Sequence, residues 1–244
     1  PFETPPFEQI KEAHFLPAFQ EGMRQQQAEV EAIVNNSESP TFANTLEALE
    51  YSGELLQKVS SVFFNLNSAH TNDEMQRISK EVAPLLSKHQ DDIFLNQELY
   101  QRVQPVYQKR ENSGLDPEQQ KLLEEYYKDF VKGGADLPED KKAEFREINQ
   151  ELALLSVQFG ENVLKEDNNF ELVIEQQQDL AGLPETVITT ASETAREKGK
   201  EGKWIFTLHK PSLIPFLQNS EKRELREKIF KAYIERGNNG DQYD

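Results

Sequence analysis

The sequence predicts a mainly α fold: a multi-helix antiparallel bundle-like array with a small two-stranded β element near the C-terminal third. Three observations predict it. Apolar residues recur at helical spacing from Phe15 to Val163. Helix-start and helix-stop signals punctuate that pattern, the clearest being Asp116-Pro117 with Gln119, then Gly133 and Gly134. Apolar–polar alternation is confined to two short runs, at 170–175 and 203–208.

The opening residues, Pro1 to Pro6, read as irregular. Phe15, Phe19, Met23, Val30, Ile33 and Val34 then form one helical face, with Pro17 tolerated in the first turn because its missing N–H has no helical partner there. A second helix is expected from about 42 to 66, with Thr41 as N-cap and Gly53 inside it. An interior glycine costs about 1 kcal/mol against alanine, which a closely packed neighbour would explain. Thr71 and Glu74 have capping-box spacing ahead of a helix through Met75, Ile78, Val82, Leu85, Leu86 and His89, which Pro84 should kink or interrupt. Asn96 caps the next helix, through Leu99, Val103, Val106 and Tyr107, with Pro105 a second interruption. Leu122, Leu123, Tyr126, Tyr127 and Phe130 form the face of the helix that Asp116 opens.

The longest pattern covers about 138–165. Phe145, Ile148, Leu152, Leu155, Phe159 and Val163 hold one face, opposite charged and Gln residues. It resembles a coiled-coil arm, although packing inside an antiparallel bundle is the simpler account. A helix at about 185–198 separates the two strands, a short one follows at 211–217, and a last one at 221–236 turns Leu225, Ile229, Phe230 and Tyr233 inward. A lone strand pair is marginal, so it should pack on the helices or pair outside this chain. The natural division is a helical region, 1–168, and a mixed region, 169–244, either as two domains or as two layers of one.

Composition narrows the function. Lys and Arg number 27 and Asp and Glu 44 in 244 residues, a net charge of −17, which opposes a broad nucleic-acid-binding surface. No apolar run is long enough to span a bilayer. The absence of cysteine excludes disulfides and thiolate–zinc sites and fits cytosol or periplasm alike. Pro1 is not an ordinary initiator residue, which implies processing or residues upstream.

The chemistry-bearing residues are few. His14, His70, His89 and His209 are the histidines, and no H-E-x-x-H pair occurs. No catalytic residue and no metal ligand is assigned within the chain. Carboxylate pairs such as Asp91-Asp92 and Glu124-Glu125 read as solvated faces. The lysine-rich turn Lys198-Gly199-Lys200-Glu201-Gly202-Lys203 reads as a solvated loop or an anion contact. Two places are candidates for a substrate channel. The polar stretch 63–72, with His70 and Asn72, can line a cleft or satisfy helix ends, the latter being favoured. His209 and Lys210, followed by Ser212, sit after the second strand run, where strand ends often carry binding loops.

Longer stretches carry a resemblance. Pro6-Phe7-Glu8, His14-Phe15-Leu16-Pro17-Ala18-Phe19, Ser52-Gly53-Glu54-Leu55-Leu56, Val62-Phe63-Phe64-Asn65-Leu66, Ala69-His70-Thr71-Asn72-Asp73-Glu74, Leu180-Ala181-Gly182-Leu183-Pro184 and Lys203-Trp204-Ile205-Phe206-Thr207-Leu208 follow one another in order and spacing. Together they resemble the N-terminal part of the zinc oligopeptidases of the thimet-oligopeptidase family, most of all its bacterial peptidyl-dipeptidase branch. The resemblance implies a metallopeptidase parent releasing C-terminal dipeptides from oligopeptides, with this portion as the non-catalytic wall and lid of a peptide channel. The zinc-binding helix would lie in a C-terminal portion beyond Asp244, so this chain itself holds no cofactor and is inactive alone. The implied partners are short peptides and that C-terminal catalytic domain, with no nucleic acid and no membrane, and the implied location is cytoplasmic, with some relatives periplasmic. Two alternatives stand beside this: an oligopeptidase that cleaves short peptides internally, and a standalone helical peptide-binding or scaffold protein without activity.

Overall fold

The computed structural model describes residues 4–240 and Gln242 and is mainly α. The first three residues of the expected irregular opening lie outside the described residues. Chain contacts divide the molecule into two units, residues 1–157 and 158–244.

The first unit begins with α1, Phe15–Val34, which matches the periodic run. It packs against the later helices α3 (Glu54–Ala69), α4 (Asp73–Phe94) and α5 (Gln97–Gln108). Two cores result. Phe15 and Phe19 join Phe63, Met75, Ile78 and Val82 in one. Val30 and Ile33 join Leu46, Leu49, Ile93, Leu99, Val103, Leu123 and Phe130 in the other. In the former, Phe63 is fully buried and meets Phe15 and Phe19 edge-on, with ring centroids 5.0 and 5.3 Å away. Edge-to-face rings put a positive edge against a negative face, which adds to the burial energy.

The expected helix over 42–66 is broken in two. Thr41 does cap its start: the Thr41 hydroxyl accepts from Asn44 N–H at 3.1 Å while the Asn44 side chain accepts from Thr41 N–H at 2.8 Å. A π-helical turn, Phe42–Glu47, runs into a short α2, Ala48–Glu50, and the chain then reverses through a turn before α3. Gly53 makes the break, with φ of +76°. Its N–H donates to Glu29 at 2.7 Å, and a Cβ there would lie 2.5 Å from the Gln26 side chain. The close neighbour exists, but Gly53 sits in a left-handed turn and not within a helix.

Pro84 and Pro105 do not end their helices: α4 and α5 run through them. Each proline removes one backbone bond, whereas α4 buries Met75, Ile78, Val82 and Ile93 and α5 buries Leu99, Val103 and Val106, which outweighs that loss. At the start of α4 the cap is Asn72, whose side chain accepts from Met75 N–H at 2.9 Å, and not Thr71, whose hydroxyl donates to Asn67. Helix α6, Pro117–Lys132, opens as the sequence predicts, with Asp116 and Gln119 forming a reciprocal capping box around Pro117.

Helix α7, Glu139–Asn169, is one continuous helix, and the division between the units falls within it. Its expected inward face is exposed: Ile148, Leu152, Leu155 and Phe159 all face solvent, and the buried residues of the helix are Lys142, Glu161 and Glu166. The bundle account of this face is therefore corrected. Polar groups hold the helix instead. Arg146 pairs with Asp92 at 2.6 Å and Asn149 donates to Asp91 at 2.7 Å within the first unit. Within the second, Arg236 donates to both Asp167 oxygens, and Glu166 accepts from Gly237 N–H and the Asn239 side chain.

The second unit is built on β1, Leu172–Ile174, antiparallel to β2, Trp204–Phe206, with Leu172 opposite Phe206 and Ile174 opposite Trp204. The strands occupy the centres of the two alternating runs. Helices α8 (Glu185–Glu197), α9 (Lys210–Asn219) and α10 (Arg223–Ile234) enclose a core of Leu172, Ile174, Leu180, Phe206, Leu208, Leu213, Phe216 and Ile229. Three-residue strands hold because that core covers them. Of the α10 residues expected to face inward, Ile229 is buried but Phe230 is exposed, lying one residue further round the helix. Gly182 (φ +85°) lies in the loop where Ala181 C=O accepts from Glu221 N–H at 2.9 Å, and a Cβ there would sit 2.3 Å from the Asn219 carbonyl oxygen.

Two stability outcomes follow from this packing. Phe63→Ala should lower unfolding free energy by about 3–5 kcal/mol in urea titrations followed by circular dichroism. Gly182→Ala, which meets left-handed strain and an immovable backbone oxygen, should cost about 2 kcal/mol or more in the same measurement.

Candidate functional site

Each unit carries a cleft that is open to ligands. In the first unit a cleft of about 920 Å³ lies between the N-terminal end of α1 and α3, with Ile10, Phe15, Val59 and Val62 as apolar walls and His14, Glu54 and Gln57 among its polar groups. A general acid needs a carboxyl whose pKa is raised. Glu54 has the reverse: the hydrogen bond from Lys58, helped by that residue's charge, holds its carboxyl below the usual range. The cleft thus offers apolar contact and fixed charges, and no proton donor at neutral pH from Glu54.

His70 and Asn72 stand outside that lining. His70 is the exposed C-cap of α3, and Asn72 opens α4. Both ends of the Asn72 amide are committed, the oxygen to Met75 N–H and the nitrogen to Glu12 at 2.7 Å. Asn65 likewise donates to the Ser61 carbonyl. Asn67 in the same stretch accepts from the Thr71 hydroxyl at 2.7 Å.

In the second unit a smaller cleft, about 340 Å³, runs between α8 and the segment leaving β2. Thr186, Thr190 and Thr194, one helical turn apart, line one side, with Thr207, His209 and Ser212 opposite. Thr190 and Thr194 donate their hydroxyl protons to carbonyls one turn back. His209 Nδ1 lies 3.3 Å from the Thr207 hydroxyl, and the Ser212 hydroxyl accepts from Thr207 N–H at 3.0 Å. These contacts make the cleft a wall of oriented hydroxyls, without an acid to complete a Ser–His–acid relay. Lys210, the exposed first residue of α9, lies outside its lining. His70 and Asn72 belong to one unit and His209 and Lys210 to the other.

The lysine-rich turn is neutralised from within. Lys198 and Lys200 both bind Glu171, and Lys203 binds Glu175. Hydrogen bonds from Lys198 and Lys200 hold the Glu171 carboxyl below its ordinary range. The anions that this turn meets are its own.

No protein-family model matches the chain. It is 43 % identical over 244 residues to a dipeptidyl carboxypeptidase of Escherichia coli and 42 % identical to that of Salmonella typhimurium, covering all of this chain and 36 % of each relative. It is also 31 % identical to oligopeptidase A of Haemophilus influenzae, over 98 % of this chain and 36 % of that protein. The chain belongs to the thimet oligopeptidase and oligopeptidase A family. It spans little more than a third of the length of these relatives.

For a member of this family, the arrangement of titratable groups matters as much as the clefts. Among the described residues, no three His, Asp or Glu side chains converge in a way that could hold a metal ion. No described helix is long and apolar enough to cross a membrane. Two groups that the sequence left unremarkable stand out. Asp91 was expected on a solvated face, but it is buried beneath α7, and burial raises its pKa against the opposing Asn149 hydrogen bond. His89 is buried with Nε2 2.8 Å from Gln26 Oε1, and burial lowers its pKa. Helical spacing places His89 on the apolar face; nothing in the local sequence separates Asp91 from Asp92.

His89 sets a pH dependence. With its folded pKa below the ordinary 6.5, the unfolded chain takes up the proton first as pH falls, so stability present above 6.5 declines below it, by at most about 1.4 kcal/mol per pH unit for one group. Asp91, whose folded pKa is raised from the ordinary 3.8, acts in the opposite sense. Urea midpoints should therefore drop between pH 7 and 5, and His89→Gln should flatten that slope.

Proposed function

We propose that this chain is the non-catalytic helical wall of a longer zinc metallopeptidase that releases dipeptides from the free C-terminus of oligopeptides. One observation carries the reading. The match runs along the whole chain at 42–43 % identity to dipeptidyl carboxypeptidases, against 28–31 % to bacterial oligopeptidases A. The side chains are compatible with such a wall, since the described residues offer clefts lined by apolar and fixed polar groups. Zinc, bound elsewhere in the parent, would supply an activated water; what this chain supplies is a rigid surface that positions peptide and excludes bulk water. Short peptides and the C-terminal catalytic domain are its partners in this reading, in the cytoplasm, with no role for nucleic acid or membrane. The excess of acidic side chains favours basic over acidic peptides, an effect that salt should weaken.

The complete gene product should release dipeptides from peptides with a free carboxyl terminus, lose that activity in chelator and regain it with zinc. Residues 1–244 alone should hydrolyse nothing under the same conditions. Cleavage by the isolated chain would overturn the reading, and equal turnover of C-terminally amidated peptides would favour internal cleavage, the oligopeptidase A alternative.

A further inference from the structure

Asp91 and Asp92 are neighbours on α4, yet the first half of α7 meets them differently. Arg146 sets its guanidinium 2.6 Å from Asp92, a partly exposed carboxylate that Lys88 also holds from one turn back. Asp91 receives only the neutral Asn149 amide, at 2.7 Å, and is 6 % exposed. That bond goes to Oδ1. Oδ2 is buried as well and has no hydrogen-bond partner among the described residues. An ionised oxygen in that position forfeits the hydration it has in water and receives no donor in exchange. A proton on Oδ2 removes the charge and leaves Oδ1 able to accept from Asn149. The seated helix therefore fits the neutral carboxyl better than the carboxylate.

We propose that the first half of α7, residues 139–157, is a pH-sensitive strap on α4, seated when the buried Asp91 carboxyl takes up a proton and slackened when it loses it. The Arg146–Asp92 pair keeps the strap in place at neutral pH, and Asp91 sets how firmly it is held. The charged groups that act on Asp91 are Arg146 on α7, which favours its ionised form, and Asp92 on α4, which opposes it; burial outweighs both Arg146 and the Asn149 bond. His89, two residues away, turns instead to Gln26 on α1. With the strap down, the pKa of this carboxyl is raised; with the strap up, the carboxyl meets water and titrates near the ordinary 3.8. Seating is therefore strongest below 3.8 and declines as pH rises through the raised value, by at most about tenfold in the seating equilibrium per pH unit.

The test is hydrogen–deuterium exchange of the complete gene product, read by mass spectrometry between pH 4 and 7 and corrected for intrinsic exchange. Protection of peptides within 145–157, taken relative to peptides of α6, should fall by about threefold or more as pH rises from 4 to 7. Asp91→Asn, which keeps the shape and removes the charge, should hold that ratio constant and exceed the unsubstituted protein at pH 7. Asp92→Asn, which takes away the partner of Arg146, should lower protection at every pH and leave the pH dependence in place. A flat ratio in the unsubstituted protein would overturn the proposal, whether or not either variant folds. So would an Asp91→Asn ratio that still falls with pH, or one that lies below the unsubstituted protein at pH 7, the result expected when a bound water or cation satisfies the ionised carboxylate.

Discussion

A helix that serves two cores must present different faces at its two ends, and α1 meets that requirement within the first unit. Its N-terminal half gives Phe15 and Phe19 to the aromatic cluster around Phe63, and its C-terminal half gives Val30 and Ile33 to the cluster around Leu99, Leu123 and Phe130. Helices α3, α4 and α5 each pack against this one rod. The turn at Gly53 follows from it, because α3 must reverse direction to lie along α1, where Glu29 accepts from Gly53 N–H and the Gln26 side chain occupies the space that a β-carbon would need. The smaller cleft of the second unit depends in the same way on α8 lying against β2.

Much of the fold was legible because caps and periodicity are local. Thr41, Asn96 and Asp116 cap as their sequence context requires, and the centres of both strands fall where alternation places them. What was not legible depended on tertiary balance. Pro84 and Pro105 carry local breaking signals that burial overrides, whereas Gly53 carries a mild local cost and yet makes the break. The apolar face of α7 was legible as a pattern. Its exposure was not, because periodicity reports that a face is apolar and says nothing of where its cover comes from.

The candidate residues divide along the same line. Asn72 and Ser212 were marked by their chemistry, but each accepts a hydrogen bond from a backbone N–H, Met75 and Thr207 respectively. Asp91 and His89, by contrast, are perturbed chiefly by burial, and their partners, Asn149 and Gln26, come from helices distant in sequence.

Trp204, the chain's sole tryptophan, lies in β2 against the core of residues 158–244, while Tyr100, Tyr107, Tyr126 and Tyr127 cluster in the other unit. Indole emission is thus a native reporter of one half of the molecule, requiring no label. Comparing its denaturation curve with far-ultraviolet ellipticity, which samples every helix, reveals directly whether the two halves melt as one cooperative body or in succession.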